Sequence, residues 1–254
     1  MNTFSSTSPA SLSLDKVSIT FPVFDYQSRS VRQTALRLGS GRSAGPAHVH
    51  AIRDLSLQFH PGDRVGLIGH NGSGKSTLLR VLAGVYPPTT GVVHSRGSKA
   101  SLFNVQAGMD TEATGIENLV LLGVAAGLSR AEIAAFTPDI VAFADLGDAL
   151  ARPVRTYSSG MQLRLAFAVA TARPADILLI DEVIGVGDAA FQRRARVRMH
   201  GLMSQADLLV MASHDNQVLK SNCNRGLVMG GGEVLFDGPI AEAVEFSKKP
   251  RATS

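Results

Sequence analysis

The residues with the clearest chemical meaning lie at 69–77, where the chain reads GHNGSGKST. Glycines at this spacing let a loop turn its backbone N–H groups inward around a phosphate, because no Cβ atoms fill the space. Lys75 places a positive charge between the β- and γ-phosphates, and the Ser76 hydroxyl offers an oxygen ligand to Mg²⁺. The segment therefore predicts a site for a nucleoside triphosphate and Mg²⁺ built from Gly69, His70, Asn71, Gly72, Ser73, Gly74, Lys75, Ser76 and Thr77.

Two later segments carry side chains suited to the same chemistry. The apolar run ILLI at 177–180 ends in Asp181 and Glu182. A carboxylate at the end of a buried strand can hold the hydration shell of Mg²⁺, and the adjacent Glu182 can polarise an attacking water. His214 follows the next apolar run, where an imidazole can sense whether the γ-phosphate is still attached. Glu182 and His214 are thus the predicted catalytic residues, and Asp181 a metal ligand beside Ser76.

These segments need a fold that brings strand ends together. Apolar runs bounded by turn residues predict strands at 11–21, 48–59, 64–69, 177–180 and 208–213, and a closing hairpin at 226–238. Residues 114–150 have a helical pattern, in which Ser129 is a predicted N-cap and Glu132 completes a capping box. Buried strands that alternate with helices predict an α/β fold with a mostly parallel sheet wrapped by helices.

Length and composition limit the alternatives. At 254 residues, with 44% hydrophobic and 18% charged residues, the chain can form one large domain at 11–247, between a disordered tail at 1–10 and a second tail at 248–254. No run is long and apolar enough for a membrane helix, and the N-terminus lacks the pattern of a secretory signal. The net charge of +4 fits either a solvated surface or one near an anionic membrane or cargo. Residues 27–47, rich in Ser, Gly and Arg, are either a disordered insertion or a short basic amphipathic helix.

A further segment, YSSGM at 157–161, precedes the apolar helix LRLAFAVATA. Here the chain resembles the ATP-binding cassette (ABC) family, whose signature loop LSGGQ occupies that place. The order of the family's parts recurs across residues 12–247. In this order the parts are an aromatic residue at Phe21, the loop 69–77, a Q-loop near 104–106, the signature, Asp181-Glu182, a D-loop ending in Asp188, and His214.

The resemblance implies a cassette with a mostly parallel core sheet, an antiparallel β subdomain and a helical subdomain at 110–157. It also implies a homodimer in which each signature loop completes the nucleotide site of the second copy. The residues expected to contact nucleotide outside the loop 69–77 are then Phe21, Ser158, Ser159, Gly160, Met161 and Asp188. For the Q-loop metal ligand, Asn104 and Gln106 both remain candidates.

Two departures from the common pattern suggest a subfamily. The signature reads YSSGM, and Glu182 is followed by VIG where many importers have a Pro-Thr pair. With the run ATGIENL at 113–119 and the Arg-rich insertion, the chain is similar to the ATPase subunits of polysaccharide exporters. This implies two copies of an integral-membrane permease as partner, a lipid-linked polysaccharide as cargo, and a peripheral location on the cytoplasmic side of the bacterial inner membrane.

Other functions are compatible with parts of the pattern. An ABC ATPase that exports another lipid or a drug differs only in the subfamily resemblance. A nucleic-acid-handling ABC ATPase fits the basic pI of about 9.5. It is disfavoured because such proteins usually carry long coiled coils or two cassettes, so no nucleic-acid partner is expected. A binding module that does not hydrolyse ATP is disfavoured because Glu182 and His214 are both in place.

Overall fold

A computed structural model of the chain describes residues 9–23, 47–103, 105–181 and 188–249. Two sheets form its framework. The smaller one is antiparallel, with strand order β2-β1-β4, and consists of β1 (Ser11–Val23), β2 (Ala47–Phe59) and β4 (Thr90–Arg96). It is the predicted antiparallel β subdomain, and its apolar side chains pack on the larger sheet in a shared core.

The larger sheet has six strands in the order β5-β6-β7-β3-β8-β9. All neighbouring pairs are parallel except β8 with β9, which form the predicted closing hairpin. The strands are β3 (Arg64–Ile68), β5 (Lys99–Leu102), β6 (Ile177–Asp181), β7 (Leu208–Ala212), β8 (Arg225–Gly230) and β9 (Glu233–Pro239). The central strands are nearly continuous apolar runs because both faces of the sheet are covered. Parallel strands end at one edge, so the residues that follow β3, β6 and β7 are brought together.

Helices cover both faces of this sheet. On one face, α1 (Lys75–Ala83) shares a core with the antiparallel sheet. On the other face lie α5 (Ala189–Gln205), α6 (Asn216–Asn222) and α7 (Ile240–Lys248), around a second core.

The helical subdomain begins with α2 (Gly115–Ala125) and α3 (Arg130–Ala144). The capping box predicted at Ser129 and Glu132 is confirmed, and an equivalent box at Thr114 and Glu117 starts α2. Short 3-10 helices at Gly147–Ala151 and Val154–Thr156 lead to α4 (Ser159–Ala170). The apolar core of this region includes α4 residues up to Val169, so it extends past the predicted end of the subdomain at residue 157.

An aromatic cluster joins the helical subdomain to the rest of the molecule. Phe143 of α3, Phe167 of α4 and Phe191 of α5 lie with ring centroids 5.6–5.9 Å apart. Arg198 of α5 stacks over the Phe143 ring at 4.1 Å, and its guanidinium also pairs with Asp139 of α3. The three helices are therefore held by both apolar and charged contacts.

The predicted boundaries need small corrections. Ala10, assigned to the N-terminal tail, is 1% exposed and packs in the core, because it continues the inward alternation of β1. Ala47, assigned to the insertion, is the first residue of β2, and α7 continues one residue past 247. The rest of the insertion, 27–46, lies outside the described residues, as do 1–8 and 250–254. Over the part of the chain that the structure describes, no helix is both long and apolar enough to cross a membrane.

Candidate functional site

The glycine-rich loop connects β3 to α1, as its sequence predicts. Gly72 and Gly74 have φ angles of +80° and +105°, in the left-handed region that disfavours side chains. A Cβ on Gly74 would lie 2.8 Å from the Ala51 carbonyl oxygen, and one on Gly69 would lie 2.5 Å from that of Met229. Glycine is therefore required here both by backbone conformation and by close packing, and the loop keeps an open concave face that suits a phosphate group.

The chemistry of such a loop depends on its lysine, and Lys75 is in position. It is the first residue of α1 and only 9% exposed. Its ammonium group donates to the carbonyl oxygens of Gly69 (2.6 Å) and His70 (3.1 Å), so it lies folded over the loop. Gly69 and His70 thus hold the lysine, while residues 71–77 face the adjoining cavity.

That cavity, of about 660 Å³, is lined by ten of the twenty predicted site residues. Asp181, the last residue of β6, lines it beside the loop, and so does His214, two residues after β7. Phe21 of β1 lines the opposite end. The full lining is Phe21, Val49, His50, Ala51, residues 71–77, Arg80, Phe103, Asp181 and residues 212–214.

The Phe21 end of the cavity has features that sequence reasoning missed. The Phe21 ring, 38% exposed, packs edge-on against Tyr86 with centroids 5.5 Å apart. The Arg80 guanidinium lies 5.8 Å from the centre of the Tyr86 ring. Tyr86 thus supports the Phe21 ring, which lines the cavity and offers a stacking surface for a nucleobase. Tyr86 follows α1 and pairs with a strand more than sixty residues earlier, so no local pattern marks it.

A metal site can be tested on the side chains that line the cavity. Ser76 and Asp181 both line it, and a hydroxyl and a carboxylate are oxygen ligands that suit Mg²⁺. The described residues contain no group of three or more His, Cys, Asp or Glu side chains that could hold a metal ion. The residues present therefore fit an ion that takes its remaining ligands from phosphate and water, as Mg²⁺ does.

Of the two Q-loop candidates, the structure describes Gln106. Asn104 lies outside the described residues. Gln106 is exposed in a turn, where its carbonyl accepts from the Met109 N–H, and it does not line the cavity. Phe103, just before Asn104, does line it. Both assignments stay predictions.

The signature segment begins α4, away from the cavity of its own chain. Ser158 is the N-cap and accepts a hydrogen bond from the Met161 N–H (3.3 Å), while Met161 packs against the helical core. A Cβ on Gly160 would meet only the Ser158 hydroxyl, at 3.8 Å. None of residues 157–161 lines the nucleotide cavity. Among the described residues of the chain, no contact therefore requires glycine at position 160.

Tyr157, by contrast, is a packing residue. It is 7% exposed, and its hydroxyl donates to the Ala149 carbonyl at 2.7 Å. Burial raises the pKa of this phenol above its usual range. The hydroxyl sits where a side chain on Gly115 would otherwise be, which explains the glycine in ATGIENL. The asparagine of that motif, Asn118, is fully buried and bonds to the backbone of 110, 113 and 114.

The end of the D-loop is anchored by Asp188. Its carboxylate caps α5 by accepting from the Ala190 and Phe191 N–H groups, and it pairs with Arg164 of α4. The bond from Phe191, followed by the Arg164 charge, lowers the pKa of Asp188 despite partial desolvation. Residues 185–187 and the predicted catalytic Glu182 lie outside the described residues. A direct contact between Asp188 and nucleotide stays a prediction.

Comparison with known proteins agrees with this geometry. The ABC transporter family matches over residues 52–185. The O-antigen export system ATP-binding protein RfbE of Yersinia enterocolitica is 45% identical, over 85% of this chain and 92% of its own length. RfbB of Myxococcus xanthus, also named for O-antigen export, is 39% identical over 80% of this chain and 47% of its own length. The teichoic acids export protein TagH of Bacillus anthracis is 39% identical over 82% of this chain and 38% of its own.

Solved structures show the same fold. A dimer of the ATP-binding cassette MJ0796 with ADP and Pi has a TM-score of 0.64 at 21% identity, covering 90% of this chain and 98% of that one. Another structure, an ATP-binding subunit of an ABC transporter, has a TM-score of 0.65 at 21% identity, covering 93% of each chain. With the phosphate loop, the strand-end carboxylate and the signature helix in their expected places, the chain belongs to the ABC transporter ATP-binding proteins.

Proposed function

We propose that this chain is the ATP-hydrolysing subunit of a transporter that exports a lipid-linked polysaccharide, of O-antigen or capsule type, across the bacterial inner membrane. The observation that carries the proposal is the single cavity in which residues 71–77, Asp181 and His214 meet. The proposed class of cargo rests on relatives named for O-antigen and teichoic acid export. One of them, RfbE, is matched over 92% of its length.

Each of the site residues has its own role in hydrolysis. The loop N–H groups and Lys75 bind the phosphates, and Ser76 and Asp181 would hold Mg²⁺, which when bound would neutralise charge on the phosphate oxygens. Glu182 accepts a proton from the attacking water, and His214 contacts the γ-phosphate and so reports whether it is present. The Phe21 ring stacks on the base.

Hydrolysis also requires a second copy. Ser158, Ser159 and Gly160 lie at the start of α4, exposed or half-exposed and outside the cavity of their own chain. A helix N-terminus attracts anions, and the absence of a side chain at Gly160 lets the backbone approach one closely. We infer that these residues close over the γ-phosphate held by the other copy, so two ATP molecules join two chains.

The sandwich is tested by a pair of variants. Lys75→Ala removes a phosphate contact and should largely abolish ATP binding. Gly160→Asp should leave ATP binding by the monomer unchanged but prevent ATP-dependent dimerisation, because its carboxylate would face a phosphate. Binding is measured by calorimetry and dimerisation by light scattering with MgATP. Equal loss of binding in both variants would refute the sandwich.

The catalytic assignment has its own test. Glu182→Gln should lower kcat by about 10²- to 10⁴-fold, the usual contribution of a general base, while retaining ATP binding and dimerisation. In cells that lack the chromosomal gene, wild-type protein should restore surface polysaccharide and Glu182→Gln should not. Hydrolysis at the wild-type rate by Glu182→Gln would show that another group acts as the base.

A membrane permease is the proposed partner, with the helical subdomain as its docking side. Ile116, Val120 and Val124 form an exposed stripe on one side of α2, at 45%, 43% and 58% exposure. Next to α2 a groove of about 410 Å³ separates the helical subdomain from the core, and Phe103 lines both this groove and the nucleotide cavity. A permease segment bound in this groove would contact Phe103, which also lines the nucleotide cavity.

The docking side is tested by co-expression with the proposed permease partner. Val120→Asp should reduce co-purification of the permease and stimulation of ATPase activity, and leave ATP binding unchanged. Val197→Asp on α5 is the matched control, because Val197 is 75% exposed on a different face. Equal effects of the two variants would exclude α2 as the docking helix.

A further inference from the structure

The wall between the aromatic end of the nucleotide cavity and the phosphate loop contains a histidine that the mechanism above does not use. On adjacent strands, Phe21 is paired with Val49, and Thr20 with His50. One residue further along β2, the carbonyl of Ala51 packs against the loop at Gly74. His50, which lines the cavity, thus lies between the position of the base and that of the phosphates.

The His50 ring is positioned by a hydrogen bond at one of its two nitrogens, Nδ1. Its Nδ1 lies 3.1 Å from the Thr20 hydroxyl, and the Thr20 N–H donates to the Thr89 hydroxyl at 3.0 Å. In the described part of the chain, no protein group forms a hydrogen bond with the other ring nitrogen, Nε2. The bond to Thr20 limits rotation of the ring and leaves Nε2 for a ligand in the cavity.

The hydrogen-bonding chemistry of Nε2 favours a hydroxyl group as its partner. If Thr20 donates to Nδ1, then Nε2 carries the proton and donates; if Nδ1 donates, then Nε2 accepts. A sugar hydroxyl both donates and accepts, so it satisfies either tautomer, and the sugar is the part of a nucleotide between base and phosphates. Given the ATP site proposed above, on which this inference rests, we propose that His50 binds the ribose of the nucleotide through Nε2. Thr20 is then the positioning residue for His50.

The test compares ATP with 2′-deoxy-ATP and 3′-deoxy-ATP by calorimetry, on full-length wild type and His50→Ala. Loss of one hydrogen bond should weaken ATP binding roughly three- to tenfold. In the wild type one of the two deoxy analogues should bind more weakly by a similar factor. In His50→Ala that analogue and ATP should bind equally, because the partner of the missing hydroxyl is already gone.

Matched variants separate this role from a structural one. His94→Ala, an exposed histidine on β4 of the same sheet, should bind all three nucleotides as the wild type does. Thr20→Val should weaken ATP binding and Thr20→Ser should restore it, because serine retains the hydroxyl. In turnover assays, KM should rise in His50→Ala while kcat stays unchanged, as for a contact kept throughout the reaction.

Two outcomes would overturn the inference: unchanged ATP affinity in His50→Ala, or an equal loss for ATP and both deoxy analogues. A failure of the proposed function gives a different result. In that case wild-type protein would bind no adenine nucleotide at all, whereas an error about His50 alone leaves tight ATP binding and its dependence on Lys75 intact.

Discussion

Replacement of Gly115 by alanine tests how the signature segment is positioned. The new Cβ would lie 2.2 Å from the Tyr157 hydroxyl and 3.1 Å from the Leu150 Cα atom. Because Tyr157 is buried and its hydroxyl is bonded to Ala149, it cannot move aside without losing that bond. Gly115→Ala should therefore displace the residue that immediately precedes Ser158.

The size of the effect follows from two opposing contributions. Inserting a methyl group into a packed site costs about 1–3 kcal/mol. Replacing glycine by alanine in a helix recovers about 0.5–1 kcal/mol. The free energy of unfolding should therefore fall by up to about 2.5 kcal/mol, which for a chain of this length lowers Tm by up to about 10 °C.

A double-mutant cycle with Tyr157→Phe isolates the cause. Tyr157→Phe alone loses one hydrogen bond and should cost about 1 kcal/mol. In Gly115→Ala/Tyr157→Phe the hydroxyl that would clash is absent, so the double variant should be more stable than the sum of the single losses by about 1 kcal/mol or more. Urea unfolding followed by circular dichroism gives the three values. Additivity within about 0.5 kcal/mol would refute the proposed collision.

The same variants have a functional readout. Since Tyr157 is the first residue of the signature segment, Gly115→Ala should lower the maximal ATPase rate and leave ATP binding intact. Restoration of part of the rate by Tyr157→Phe would tie the defect to the position of the tyrosine. A loss of ATP affinity in Gly115→Ala would place the effect elsewhere.

Three further changes have expected outcomes. Asn118→Ala leaves buried backbone groups without partners, so the free energy of unfolding in urea should fall by about 2–4 kcal/mol; a loss below about 1 kcal/mol would mean that water replaces the amide. Hydrogen bonds from the Ser129 N–H, and secondly from the Ser129 hydroxyl, lower the pKa of Glu132 to about 2. The Glu132 carboxylate therefore stabilises the fold above about pH 4.5, and that contribution to stability disappears as the pH falls toward 2. The difference in urea midpoint between wild type and Glu132→Gln should accordingly shrink over that window, and a constant difference would contradict this. The ion pair between Arg164 and Asp188 is lost in Arg164→Gln, in Asp188→Asn and in the double variant, so ATPase activity should fall to the same extent in all three. A double variant whose loss is the product of the two single losses would show that the residues act independently.

Much of the site follows from short spacings in the sequence. The glycines, Lys75 and Ser76 lie within one loop, and their chemistry needs only that loop and the helix after it. The capping box of Ser129 and Glu132 depends on residues three apart, so local geometry determines it. Apolar runs that end in polar residues predict strand ends, which parallel strands place at one edge. For these reasons the α/β fold and the phosphate loop could be predicted, and the family comparison confirms the family.

What the tertiary structure alone decides are the contacts between distant segments. The pairing of Thr20 with His50 depends on the register of two strands joined through the insertion, and the Phe21–Tyr86 contact on how the antiparallel sheet packs beside α1. The sequence does not show why residue 115 is glycine, because the reason is its contact with Tyr157, 42 residues later. Local spacing determines which backbone conformation a segment adopts, because the interactions act within a few residues. Which side chains face one another across the cavity depends on sheet register and helix packing, where the whole chain contributes.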